Sequence, residues 1–204
     1  MRRGPAELAA KDTAIYPVMY PPILVHRPPN GGELLMINQV ATILRYLGET
    51  LGFMPPGGAA AAARADQIVM NGVDFIAEGR LSFHPTDGKG SYASQKDEAD
   101  RVSREFAAER LLVWLSHFEK IIGRAESPEG PVLGGSALSY ADFMLFNVLD
   151  ASEAQFNGDW YGNAWDNAPI PRAKRYRDWM AARPELAEYF GSERRKPWAG
   201  DSMM

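Results

Sequence analysis

Hydrophobic residues follow two rhythms in this chain, and the rhythm changes near residue 55. Ile23, Leu24 and Val25 form a short apolar run with β-branched character, which predicts a strand. The following segment carries Pro28-Pro29 and Gly31-Gly32, so it is expected to turn. Residues 34–37 (Leu-Leu-Met-Ile) read as the returning strand. The link is too short for a parallel crossover, so the pair is predicted to be an antiparallel hairpin. Residues 39–51 carry Val40, Ile43, Leu44, Leu47 and Leu51 at helical spacing, with one apolar face. Gly52 is expected to end that helix, and Pro55-Pro56-Gly57-Gly58 reads as a stiff linker. The predicted organisation is therefore a first domain over 1–54 and a second over 59–204.

After the linker every patterned segment has helical spacing. Residues 59–81 open with five alanines and continue through Ile68, Val69, Val73, Phe75 and Ile76. Residues 92–124 are expected to be the longest helix, with Val102, Phe106, Val113, Leu115, Phe118 and Ile122 on its buried face. Pro/Gly loops are expected at 83–90 and 127–135. Ser139 with Asp142 three places on is a capping-box pattern, ahead of the run Phe143-Met-Leu-Phe-Asn-Val-Leu149. That run is apolar on nearly every side, which predicts a helix at the centre of a bundle. Residues 157–171 read as a loop, followed by helices at 172–182 and 184–190. Near the N-terminus, 7–12 reads as a turn or two of helix.

The step from the second strand into the first helix carries the most chemistry. Asn38-Gln39 stands there, and Pro21-Pro22 stands at the start of the first strand. A helix start exposes unpaired N–H groups at the positive end of the helix dipole. Such a place suits a carboxylate or phosphate. The expectation is a small anionic ligand between a proline turn and a helix start.

Composition narrows the alternatives. The 204 residues are 46% hydrophobic and 24% charged, as expected of a globular chain with a real core. A net charge of -4 argues against nucleic acid as the main partner. Cysteine is absent, which removes disulfides, thiolate metal sites and any Cys nucleophile. No apolar run approaches the roughly 18 residues of a membrane span, and no apolar signal core follows Met1-Arg2-Arg3. His26, His84 and His117 lack metal-ligand spacing, so no metal is expected. Packing is expected for His117 beside Phe118, packing between domains for the Trp160-Tyr161 and Trp165 group, and solvation for Arg194-Arg195-Lys196.

Taken in order, these motifs resemble the cytosolic glutathione transferases. Pro22-Ile23-Leu24 is similar to that family's cis-proline turn. Residues 36–47 are similar to its strand-to-helix step, usually Gln-Ser-x-Ala-Ile-x-x-Tyr-Leu, and 134–146 to its capping-box helix. The resemblance implies an α+β protein: a partial thioredoxin-like domain that binds glutathione, then an all-helical domain that supplies the pocket for an electrophile. It implies glutathione as co-substrate and Pro21, Pro22, Gln39 and Val40 as its contacts. His84 and Tyr92 are candidate substrate-pocket residues, and Ser139 and Asp142 form a structural cap. It further implies a cytoplasmic homodimer, with no membrane or nucleic-acid partner, acting in detoxification.

Two departures from the family pattern matter. Only 20 residues precede Pro21, too few for the family's opening strand, helix and second strand. The Tyr, Ser or Cys that stabilises the glutathione thiolate belongs to that opening element, so no catalytic residue is assigned. A shortened chain with weak conjugation, or a non-catalytic binding protein of the same family, is the alternative. The second departure is Val40, where the family has serine; it offers only its backbone N–H.

Overall fold

The computed structural model describes residues 16–29 and 31–198. The helical turn expected at 7–12 lies outside the described residues. The chain divides into two compact units, with the break between Met54 and Pro55.

In the first unit, β1 (Ile23–His26) and β2 (Leu35–Asn38) pair antiparallel, with Ile23 opposite Asn38 and His26 opposite Leu35. The second strand sits one residue later than its apolar run suggests. Helix α1 (Val40–Leu51) follows at once and packs on β2. It ends as expected at Gly52, whose φ of 81° is open to a residue without Cβ. Met36 is buried here. Leu51, assigned to the apolar face by spacing, is 63% exposed, because the last helical residue has no turn beyond it to pack beside. The Tyr46 hydroxyl lies 2.5 Å from His26 Nδ1 and ties α1 to β1.

Every secondary-structure element among the described residues of the second unit is helical. Helix α2 (Gly58–Phe83) has 26 residues and is longer than any other uninterrupted α-helix among those described. The segment expected to be one long helix is instead a chain of pieces. A 3₁₀ turn (Tyr92–Gln95) leads into α3 (Lys96–Glu105), a π-helical turn (Phe106–Arg110) and α4 (Leu111–Ile122). The π turn takes one extra residue, so the buried face runs Phe106, Leu111, Leu115, Phe118, Ile122. Val113, placed on that face by regular spacing, is 53% exposed for this reason.

Helix α5 (Tyr140–Phe156) is the centre of the unit, with 13 of its 17 residues buried. It crosses α2 closely at Gly72, where a Cβ would stand 2.6 Å from Met144 Cγ. Phe75 of α2 packs against Phe106, Trp114 and Phe118, with ring centroids 5.8–6.3 Å apart. The expected loop after α5 contains a 3₁₀ turn (Asp159–Tyr161) and the short α6 (Ala164–Asn167). Trp165 is buried and Tyr161 packs edge-on against Phe156, so both serve the helical unit itself. Helices α7 (Pro171–Ala181) and α8 (Pro184–Phe190) complete the bundle, each opened by a proline in its first turn. The C-terminal cations are not simply solvated: Arg195 reaches the nearly buried carboxylate of Asp150 at 2.5 Å.

Candidate functional site

The hairpin register brings the proline turn and the helix start together. Ile23, which follows Pro22, is paired with Asn38, which precedes Gln39. Paired Cα atoms in such a ladder lie about 4.5–5.5 Å apart. Pro21, Pro22, Gln39 and Val40 therefore gather at one end of the hairpin. The Pro21–Pro22 peptide bond is cis. Pro21, Pro22 and Gln39 are exposed. Pro21 has no N–H, so its carbonyl is the one backbone group it can offer a ligand.

Gln39 is held at φ 74° and ψ 119°, a conformation that residues with a Cβ rarely adopt. Its carbonyl accepts the Ile43 N–H at 2.9 Å, the first hydrogen bond of α1. The N–H groups of Val40, Ala41 and Thr42 therefore have no partner within the helix. No side chain caps this end, and the first turn carries no acidic residue. The result is an exposed, positively polarised helix start unshielded by its own sequence, next to a strained backbone. Strain of this kind costs about 1–3 kcal/mol and concentrates at functional sites. Sequence spacing located the polar step but not the strain, because a positive φ at glutamine has no sequence signature.

The other candidates lie in the helical unit. His84 is nearly buried at the end of α2, and its Nδ1 pairs with the Gly90 carbonyl at 3.0 Å, closing the loop between them. The Tyr92 hydroxyl donates to Asp100 at 2.5 Å, and the carboxylate that accepts it pushes the phenol pKa up. Neither residue lines the cleft along the first half of α2 or the smaller one beside the π turn. Ser139 and Asp142 form the expected cap: the Asp142 carboxylate accepts the Ser139 N–H at 2.7 Å and its hydroxyl at 2.8 Å. Asp142 also accepts the Val132 N–H at 2.7 Å and the Tyr176 hydroxyl at 2.8 Å, two partners that the motif alone does not reveal.

Two further groups escape the sequence motifs. Glu78 accepts Arg110 Nε at 2.5 Å and Trp114 Nε1 at 2.7 Å, beside the π turn. The Arg110 hydrogen bond holds its carboxyl below the usual range, against the opposing cost of burial. A cleft of about 950 Å³ opens between the first half of α2, the end of α4 and the loop that follows. His117 belongs to its wall as well as to the packing with Phe118, and its Nε2 lies 2.8 Å from the Asn71 amide.

Residues 86–193 match the family model of the glutathione S-transferase C-terminal domain. The chain belongs to the glutathione S-transferase family. A pi-class glutathione S-transferase of Onchocerca volvulus has a similar fold, with TM-score 0.58 and 22% identity, over 78% of this chain and 66% of that one. A glutathione transferase of Burkholderia graminis, solved with two glutathione molecules bound per subunit, aligns at TM-score 0.49 and 23% identity, over 83% of this chain and 65% of that one. One from Actinobacillus pleuropneumoniae aligns at TM-score 0.47 and 17% identity, over 79% of this chain and 68% of that one. The chain thus spans about two thirds of the length of these transferases. No curated protein sequence matches it. No helix among the described residues is long and apolar enough to cross a membrane.

Proposed function

We propose that the hairpin–helix unit of this transferase-family protein binds glutathione, and that the protein conjugates it to hydrophobic electrophiles. The carrying observation is the pairing of Ile23 with Asn38, which sets the cis-proline turn beside the uncapped start of α1. The Pro21 carbonyl would accept from the peptide backbone. The Gln39 side chain and the Val40 N–H would hold the γ-glutamyl carboxylate, where the helix dipole favours negative charge. In conjugation the glutathione thiol loses its proton to solvent and the thiolate attacks the electrophilic carbon. The new C–S bond replaces either the bond to a leaving group, which departs with its electron pair, or a π bond, whose other end takes a proton from solvent. The thiolate is the nucleophilic form, so positioning and charge stabilisation are the protein's contributions.

A non-catalytic glutathione-binding role is the second reading, favoured by Val40. A serine there would add one hydrogen bond to the carboxylate, and bonds to charged groups contribute roughly 1.5–3 kcal/mol. A homodimer with the exposed side of α2 as one contact face, a cytoplasmic location and a role in detoxification belong to the same proposal. Calorimetric titration with glutathione, followed by turnover of a generic aromatic electrophile, separates the readings. Binding with turnover supports conjugation, and binding without it supports the second role. Absence of glutathione binding would reject both.

A further inference from the structure

Beside the π turn the helical unit carries a smaller cleft, of about 270 Å³. Its apolar part is made by three side chains. Phe106 is buried, Val102 of α3 is half-buried, and Leu81 near the end of α2 is 63% exposed. The Ser82 hydroxyl also belongs to the lining, but it donates to the Gly79 carbonyl at 2.6 Å. Around this surface stand three carboxylates: Glu78 from α2, Glu105 from the end of α3 and Glu109 from the π turn. Arg110 is the one cation among the lining residues. Negative charge is thus in local excess above an apolar surface.

The three carboxylates are not equally engaged. Glu78 is held by Arg110 and Trp114. Glu105 pairs with Arg101, which also holds Glu98. Glu109 is exposed and makes no hydrogen bond or ion pair among the described residues. The π turn puts this free carboxylate and the Phe106 ring in one cleft, and such turns recur at functional sites. A bare metal ion does not match the cleft, because no three acidic or histidine side chains among the described residues are grouped to hold one. An anion would meet Glu105 and Glu109, and a neutral ligand would leave Glu109 without a charged partner. What matches is a cation with an apolar body. The volume lies just under the roughly 300 Å³ at which drug-sized sites begin, so the body is short.

We propose that this cleft is a binding site for a short primary alkylammonium ion. The ammonium head has three donors and would pair with the Glu109 carboxylate, and with the lone pairs of Glu105 that Arg101 leaves open. The alkyl chain would lie on Phe106 and take Leu81 and Val102 out of water. Charge-assisted hydrogen bonds are the strong kind, so Glu109 sets the choice of a cation, while the buried methylenes add affinity with chain length. None of these residues is among the proposed glutathione contacts, so either site can fail without the other.

The test is titration of the full chain with hexylammonium chloride at low ionic strength, followed by calorimetry, beside hexanol, methylammonium and hexanoate. Glu109→Gln removes an exposed carboxylate that has no partner to lose, and Leu81→Ala trims the exposed apolar wall. Circular dichroism with thermal midpoints verifies the folding of both. Glu129→Gln, at an exposed carboxylate outside the cleft, is the control for unspecific charge. Hexylammonium is expected to bind the parent with roughly millimolar affinity, as suits so small a ligand. Its affinity should fall about tenfold in Glu109→Gln, several-fold in Leu81→Ala, and not at all in Glu129→Gln. Hexanol, methylammonium and hexanoate should each bind at least about tenfold more weakly. No saturation of the parent by about 10 mM overturns the proposal. Equal affinity in Glu109→Gln and parent, an equal fall in Glu129→Gln, or equal binding of hexanol also overturns it. Binding lost at protein concentrations where sedimentation shows self-association would mean that a second copy covers the cleft, and would overturn it too.

Discussion

Tyr176, at the middle of α7, donates its hydroxyl to the Asp142 carboxylate at 2.8 Å, and both residues are fully buried. The pair joins the first turn of the central helix to an element 34 residues later. Burial, reinforced by the neighbouring carboxylate, pushes the Tyr176 phenol pKa well up, so the tyrosine remains a donor. Asp142 is therefore a junction as well as a cap.

Asp142→Ala is expected to cost about 3–4 kcal/mol, more than the ~1 kcal/mol of a lost cap, because buried donors at Val132 and Tyr176 lose their acceptor. Tyr176→Phe should cost about 1–2 kcal/mol. Urea midpoints of the two variants check this. A cost for Asp142→Ala no larger than that of an ordinary exposed cap would show that the junction contributes nothing. Glutathione affinity of the folded variants should match the parent.

Gln39 offers a separation of stability from binding. Gln39→Gly releases the strained backbone and is expected to raise stability by about 1 kcal/mol, while glutathione affinity falls with the lost side-chain bond. Gln39→Ala keeps the strain and loses the bond, so affinity should fall with no gain in stability. Denaturation and calorimetry of both variants give the comparison. Unchanged affinity in both would remove Gln39 from the proposed site.

Asp150 holds the C-terminal segment to α5. It accepts Arg177 Nη2 at 2.9 Å, Arg195 Nη2 at 2.5 Å and Trp198 Nε1 at 3.0 Å. Asp150→Ala leaves partly buried Arg195 without its carboxylate, while Arg177 keeps Glu153 and Asp178, and is expected to cost about 3 kcal/mol. Arg195→Gln should cost less, about 1–2 kcal/mol, and hasten proteolysis after α8. The double variant should cost less than the sum of the singles, since the two residues share one interaction. Strict additivity in a denaturant series would mean that the contact carries no coupling.

Glu78 sets a pH dependence. Its folded pKa is lowered from 4.5, chiefly by the Arg110 hydrogen bond. Stability from the Glu78–Arg110 pair is thus fully present above pH 4.5 and is lost as pH falls through the lowered folded value. The pair is solvated on its Arg110 side, so its contribution is small. Glu78→Gln should be less stable than the parent at pH 7, and the gap should close in acid. A gap that stays constant between pH 7 and pH 3 would contradict the assignment.

The residue pattern alone determined the order of elements, because each depends on neighbours within a few positions. The Ile23–Val25 run, the Pro/Gly turn and the helical spacing from Val40 are local signals, and they foretold the hairpin, α1 and the helical second unit. Ser139 and Asp142 announced their cap three residues apart, for the same reason. Tertiary structure alone decided what depends on distant partners. The pairing of Ile23 with Asn38 places Pro22 beside Gln39, and this required a register, not a pattern. The π turn at Phe106–Arg110 shifted the buried face by one residue, because packing against α2 and α5 outweighed regular helical spacing. The Asp142–Tyr176 and Asp150–Arg195 contacts join residues that are remote in sequence. No local periodicity encodes such encounters, since the folded chain alone brings the partners within reach.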